Sequence, residues 1–416
     1  MGPLTLFDKS FLEMLNVDEA ALFDALYSAV ICPIFYTEVL ADLQKTTSGA
    51  RSPEKVVQDI ARKTPVMHST PNMLHAGMCL AELGGQRIEM RRVPVRAGGV
   101  PVRHGKKVGV IYDEAPEAKA FNRWQAGRFH DVEREFASAW RAQLKEARHA
   151  DMAKLAKAVL RIHGAPRDLK DALAMAREVV VGDGQQYLTL KTAYALLGLP
   201  RQLWNETQER WKQTGRQPLH ICAPYTAHCL TVDIFFHVAV DKKLISPDRP
   251  SNRIDVAYLY YLPFCMAFVS NDKLHKRCVP LFLADNQAFI DGEELKRDLA
   301  ALDAHYSGLP EEKLAQGIFR IASYPPDDEA FLTTRIWKQL KMPVLPRQPE
   351  IRPDAVPAQK ILAMVKELQT KAQRLPPHAR HAAEFDDPDH VVIERRIPLK
   401  MGKWRTMPPG VKGDGE

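Results

Sequence analysis

Close cysteine pairs are missing from this sequence. Its six cysteines, Cys32, Cys79, Cys222, Cys229, Cys265 and Cys278, are scattered, with no CxxC pair and no zinc-ribbon spacing. That argues against a disulfide framework and against a zinc ribbon; thiols in mostly apolar surroundings are expected to be buried and free in a reducing cytoplasm. A basic stretch leading into an apolar core is missing from the opening MGPLTLFDKSFLEML, so no secretory signal is expected. Long apolar runs are missing too. The longest, VAYLYYLPFCMAFV at 256–269, is too short to cross a bilayer and holds a proline. No fixed repeat period is present. RRVPVRAG at 91–98 and RRIPLKMG at 395–402 echo one another, which coincidence or two similar extended edge segments would explain. The expectation left by these absences is a soluble, cytoplasmic protein without a membrane segment.

What is present is a chain of 416 residues, 45% of them hydrophobic, enough for a substantial core in two or three structural units. Lys and Arg outnumber Asp and Glu by 58 to 51, a net charge of +7 that favours polyanions such as nucleic acid, though only mildly over this length. The opening reads as strand, acid, helix: LTLF at 4–7, then Asp8, then helical spacing through FLEML and AALFDALYSAV. PIFYTEVLADLQK at 33–45 begins on a proline suited to helix entry and puts Glu38 and Asp42 on one face. Residues 1–45 are therefore expected to form the first part of an α/β domain. A mainly helical insertion with a basic arm is expected over 46–217, and the second part of the domain over 218–300. A C-terminal extension follows over 301–416, with charged helices, a proline-rich linker at 342–357, a short helix and a polar tail.

LTLF, MAFVS and VPLFL are strand candidates separated by helices, which implies a parallel sheet with its ligand site beyond the carboxyl ends of the strands. Asp8 and Asp272 stand at such ends, Asp255 opens the helix that leads into MAFVS, and Glu38 lies on an early helix that can pack beside the same edge. Clustered carboxylates repel one another unless a cation neutralises them, and hard oxygen ligands suit Mg²⁺ or Mn²⁺.

This order of acids, Asp8 after the first strand, Glu38 in TEVLADL, Asp255 in IDVAYLYYL and Asp272 in FVSNDKLH, resembles the acidic signature of the PIN-domain nucleases. The likeness covers roughly 1–45 and 218–290, and the long intervening region departs from the compact unit of that family. The resemblance implies a PIN-like Rossmannoid parallel sheet with flanking helices. It also implies that Asp8, Glu38, Asp255 and Asp272 hold divalent metal and support phosphodiester hydrolysis, with RNA preferred to DNA. Glu38 would serve as a ligand or as a base orienting water, and Asp42 as a spare that is either solvent-exposed or a supporting partner. The alternative is a PIN-like module that has lost catalysis and binds nucleic acid or protein. A second copy of the chain or a regulatory protein could use the inserted helices.

Each residue also has a plainer reading. Asp8 and Asp255 suit helix N-caps, Asp272 a turn, Ser270 and Asn271 ordinary turn chemistry, and Lys273 and His275 an exposed helix start. The run His220, Cys222, His228, Cys229, Asp233 and His237 matches no usual zinc spacing and reads as packed core. Arg91, Arg92, Arg96, Arg103, His104, Lys106 and Lys107 fit either an arm that tracks nucleic-acid phosphates or a solvated edge hairpin.

Overall fold

The computed structural model describes residues 2–45, 51–66, 68–91, 93, 100–104, 107–112, 116–146, 149–160, 162–182, 185–343, 363, 391–393 and 400–406. Its frame is a five-stranded parallel sheet built from β1 (Leu4–Phe7), β2 (Ser28–Ile31), β3 (Ser69–Pro71), β6 (Ala267–Ser270) and β7 (Ala288–Asp291). The order β3-β2-β1-β6-β7 makes the chain wind outwards from β1 in one direction and then resume on its other side. The strand order therefore reverses between β1 and β6, which is where an open parallel sheet leaves a crevice at its carboxyl edge. Strands β2 and β6 are buried along their whole length, and β1 nearly so, as expected for a parallel sheet covered on both faces by helices. The fold class is α/β.

LTLF and MAFVS are strands where the sequence suggests them, but VPLFL is not. It lies in the helix Lys273–Phe282, whose buried Leu274, His275, Cys278 and Val279 repeat with helical spacing. A short unbroken apolar run does not reveal its period, and the Asp272 carboxylate, accepting the Leu274 and His275 amides, starts a helix before that run is reached. Three short strands of the sheet escape the sequence reading: SAVI, at the end of an apolar helix-like stretch, STP, and AFID, isolated among polar residues.

The boundary expected at residue 45 does not divide the sheet. Strand β3 comes from within 46–217 and pairs with β2, Ala29 opposite Ser69 and Ile31 opposite Pro71. Further along that region, the helices His149–Val159 and Leu169–Val181 pack on the buried helix Pro224–Asp241, and their apolar residues join the same core as the sheet. At the other end, the helix Leu332–Gln339 rests on Gly292–Ser307, with the Trp337 indole donating to the Leu26 carbonyl at 3.2 Å. The basic arm is an antiparallel hairpin of β4 (Val100–His104) and β5 (Lys107–Tyr112), and β5 also pairs with β8 (Val391–Ile393). The helix expected after the proline-rich linker falls, except for one position, outside the described residues.

Candidate functional site

Register places the first two polar groups of the site. Phe7 lies opposite Val269, so Asp8 and Ser270 emerge side by side where β1 and β6 end. Asp8 caps the helix Lys9–Met14, its Oδ1 accepting the Phe11 amide at 2.9 Å. Its Oδ2 accepts the Ser10 and Ser270 hydroxyls, each at 2.7 Å. Ser270 Oγ in turn accepts the Asp272 amide at 2.9 Å. Asp272 caps the next helix and has Arg249 at 3.6 Å from its other oxygen. The β7 end closes tightly against this turn: a Cβ on Gly292 would stand 3.0 Å from the Asn271 nitrogen.

Glu38 and Asp255 reach the same edge from two helices, Pro33–Ala41 after β2 and Asn252–Ala257 before β6. Burial pushes the Asp255 carboxyl up to about 6; the charges of Asp272 and Asp8 push the same way, against His275 and Arg249. Its Oδ2 is buried with no hydrogen-bond partner. Burial likewise pushes Glu38 up to about 7, with Asp255 and Asp8 adding to the rise while Lys9 and the Tyr258 hydroxyl oppose it. That hydroxyl donates directly to Glu38. The charges of Asp255 and Asp8 thus act on Glu38, and those of Asp272 and Asp8 on Asp255.

Asp8 responds differently. Burial alone would raise it, but the His275 hydrogen bond and charge, with the Phe11 amide, hold it below the ordinary carboxylate range. His275 is 1% exposed, and its Nδ1 stands 2.8 Å from Ser270 Oγ and 3.3 Å from Asp8 Oδ2. Its Nε2 lies 2.7 Å from the main-chain oxygen of Asp255. Burial would lower its pKa, but Asp8 and Asp255 together raise it to about 9. On the opposite flank the Lys9 ammonium sits 2.7 Å from Asp42 Oδ2. Asp42, only 2% exposed, also meets Arg141 at 3.4 Å.

Several plain readings are corrected by this arrangement. His275 is not an exposed helix start, although its neighbour Lys273 is exposed. Ser270 makes the turn bond expected of it, accepting the Asp272 amide, but is also fully buried against Asp8 and His275. Of the two readings of Asp42 the supporting partner holds and the solvent-exposed one does not: it is buried and pairs with Lys9 beside Glu38. Asp255 lies in the first turn of its helix, whose N-cap is Ser251. Lys9 is not among the residues the sequence singles out, and Tyr258 reads there as core of an apolar helix, which its full burial bears out. Adjacency to Asp8 was a usable signal for Lys9, and the spacing of His275, three residues beyond Asp272 on one helical face, was one for the histidine.

Elsewhere, Cys229, Asp233 and His237 are packed in the core, Asp233 paired with Arg253 at 2.5 Å. Of the basic arm, Arg91 is exposed and Arg103, His104 and Lys107 lie on the hairpin; Arg92, Arg96 and Lys106 fall outside the described residues.

Hard carboxylate oxygens are the donor type that Mg²⁺ or Mn²⁺ takes, and one of them, Asp255 Oδ2, is buried and bare. In their present hydrogen bonding they are not a ready cage, and among the described residues no group of three or more His, Cys, Asp and Glu side chains is arranged to hold a metal ion. No helix among the described residues is long and apolar enough to cross a membrane. Compared with protein-family models, curated proteins and solved structures, the chain matches none.

Proposed function

We propose that this chain is a divalent-metal-dependent nuclease with a PIN-like Rossmannoid sheet, hydrolysing phosphodiester bonds in RNA in preference to DNA. The observation that supports the reading is the mutual charge effect among the acids around the β1/β6 switch point, Glu38 with Asp255 and Asp8 and Asp255 with Asp272 and Asp8, with one buried carboxylate oxygen, Asp255 Oδ2, left bare. Asp8, Asp255 and Asp272 would hold Mg²⁺ or Mn²⁺, with Glu38 as a further ligand or as the base. A bound ion of this kind lowers the pKa of water and offsets charge developing on the phosphate. Glu38, held at about 7, can keep or release a proton near neutrality, the condition for general-base work. Tyr258 orients its carboxyl, and Lys9 beside it supplies positive charge. Arg91, Arg92, Arg96, Arg103, Lys106 and Lys107 would follow the phosphate backbone of the substrate.

A second reading, a nucleic-acid-binding or protein-interaction module that does not cleave, is favoured by His275, which already supplies positive charge to Asp8. The deciding experiment incubates purified protein with labelled single-stranded RNA, single-stranded DNA and duplex DNA in Mn²⁺, Mg²⁺ or EDTA, with Asp255→Asn alongside. Cleavage that needs metal and disappears in the variant is expected. Binding without cleavage under every condition would establish the second reading instead.

A further inference from the structure

His275 contacts three of the four acids directly and reaches the fourth, Glu38, only through Tyr258. Its Nδ1 meets Asp8 directly and through the Ser270 hydroxyl. Its Nε2 meets the main-chain oxygen of Asp255, which also accepts the Tyr258 amide. Its own amide donates to the Asp272 carboxylate at 3.3 Å. Tyr258 packs edge-on against the imidazole, ring centres 5.5 Å apart, and passes its hydroxyl to Glu38. Phe268 closes on the ring at 4.9 Å. Both ring nitrogens and the ring itself are therefore fixed by side chains or carbonyls from β1, β6 and the helical segment before β6.

The hydrogen bonds also define what each nitrogen does. A carbonyl only accepts, so Nε2 donates to Asp255. Ser270 Oγ accepts the Asp272 amide and donates to Asp8, so Nδ1 donates as well. Asp255, whose own Oδ2 has no partner, is thus located through its backbone by this imidazole.

We infer that His275 is a positioning residue of this site: one imidazole ties the Asp8 carboxylate to the backbone of Asp255, and acts on Asp272 through Ser270 and on Glu38 through Tyr258. Its catalytic consequence rests on the nuclease reading; its structural consequence does not. Groups that orient metal ligands typically change metal affinity or activity by about 10–100-fold when removed.

Two variants separate the two ends of the ring. His275→Asn keeps a donor near the Nδ1 position and releases Asp255, whereas His275→Gln keeps one near the Nε2 position and releases Asp8 and Ser270. Amide hydrogen exchange on metal-free protein is expected to show faster exchange at Tyr258 in the first variant, and at Phe11 and Asp272 in the second. Both are expected to melt as cooperatively as the parent. In Mn²⁺ each is expected to lower kcat about 10–100-fold with KM within about twofold, and to weaken Mn²⁺ binding by titration over a similar range. Unchanged exchange at those amides, parental kcat and Mn²⁺ affinity, or loss of folding in both variants would each overturn the inference, since a positioning role requires a folded chain with a loosened site. A parent that neither binds Mn²⁺ nor cleaves would end the nuclease reading alone, and the exchange pattern would still decide the role of His275.

Discussion

At the level of single residues, Asp8 and Asp255 both lie within reach of His275, yet their carboxyls shift in opposite directions. Asp8 is satisfied on both oxygens and held low, whereas Asp255 is desolvated, repelled by its neighbours and held at about 6. A carboxyl at about 6 that titrates near 3.8 in the unfolded chain makes its ionised form unfavourable in the fold, by at most about 3 kcal/mol. Because the folded pKa is the higher one, this destabilisation is fully present above about 6 and gone below about 3.8. Asp255→Asn in EDTA is therefore expected to raise the thermal midpoint at pH 8, with the gain shrinking through the interval from 6 to 4. Thermal melts across that range check it; a midpoint lowered at pH 8 would show that the Asp255 carboxylate stabilises the fold. Neither behaviour is readable from the letters DKS or RID, because burial and the absence of a partner are products of the tertiary fold. The order of the acids along the chain is legible in the sequence; their burial and protonation are not.

Among the elements, helix starts and metal ligation compete for the same oxygens. Asp272 caps the helix Lys273–Phe282 through Oδ1, where its plainer reading was a turn, so a capping role and the proposed one share one side chain. Substitution separates them. Asn retains capping while removing the charge, so Asp272→Asn is expected to melt within about 0.5 kcal/mol of the parent, and Asp272→Ala to lose about 1 kcal/mol. Both are expected to abolish metal-dependent cleavage. An Asp272→Asn chain that cleaves at the parental rate would confine this residue to the cap. The same helix marks where sequence legibility ended. Its apolar run CVPLF carries no visible period, and only the upstream Asp272 cap reveals that a helix is already under way. LTLF and MAFVS were legible because each is a short apolar run ended by a turn signal, whereas SAVI merges with the apolar helix before it.

For the molecule as a whole, two expectations concern the region between the acids. Nucleic acid held along the basic arm would displace counterions, so neutralising Arg91, Arg92, Lys106 and Lys107 together is expected to weaken RNA binding. The slope of log affinity against log salt should become shallower by about 3, from roughly 0.7 per phosphate contact on a single strand. Filter binding from low to moderate salt checks this, and an unchanged slope would take the arm out of the substrate path. The second expectation concerns whether the helices after the arm form a detachable insertion. Their lengths and charge suggested one, but His149–Val159 and Leu169–Val181 cover the helix Pro224–Asp241, on which Phe235 and Phe236 are fully buried. Each large apolar side chain returned to water costs about 1.5–3 kcal/mol, against a net stability of roughly 5–15 kcal/mol for a typical domain. Replacing 116–217 by a short linker is therefore expected to leave a chain without a cooperative melting transition. A trimmed chain that melts cooperatively and keeps metal-dependent cleavage would instead make the sheet and its acids an independent unit, with the helices an addition to it.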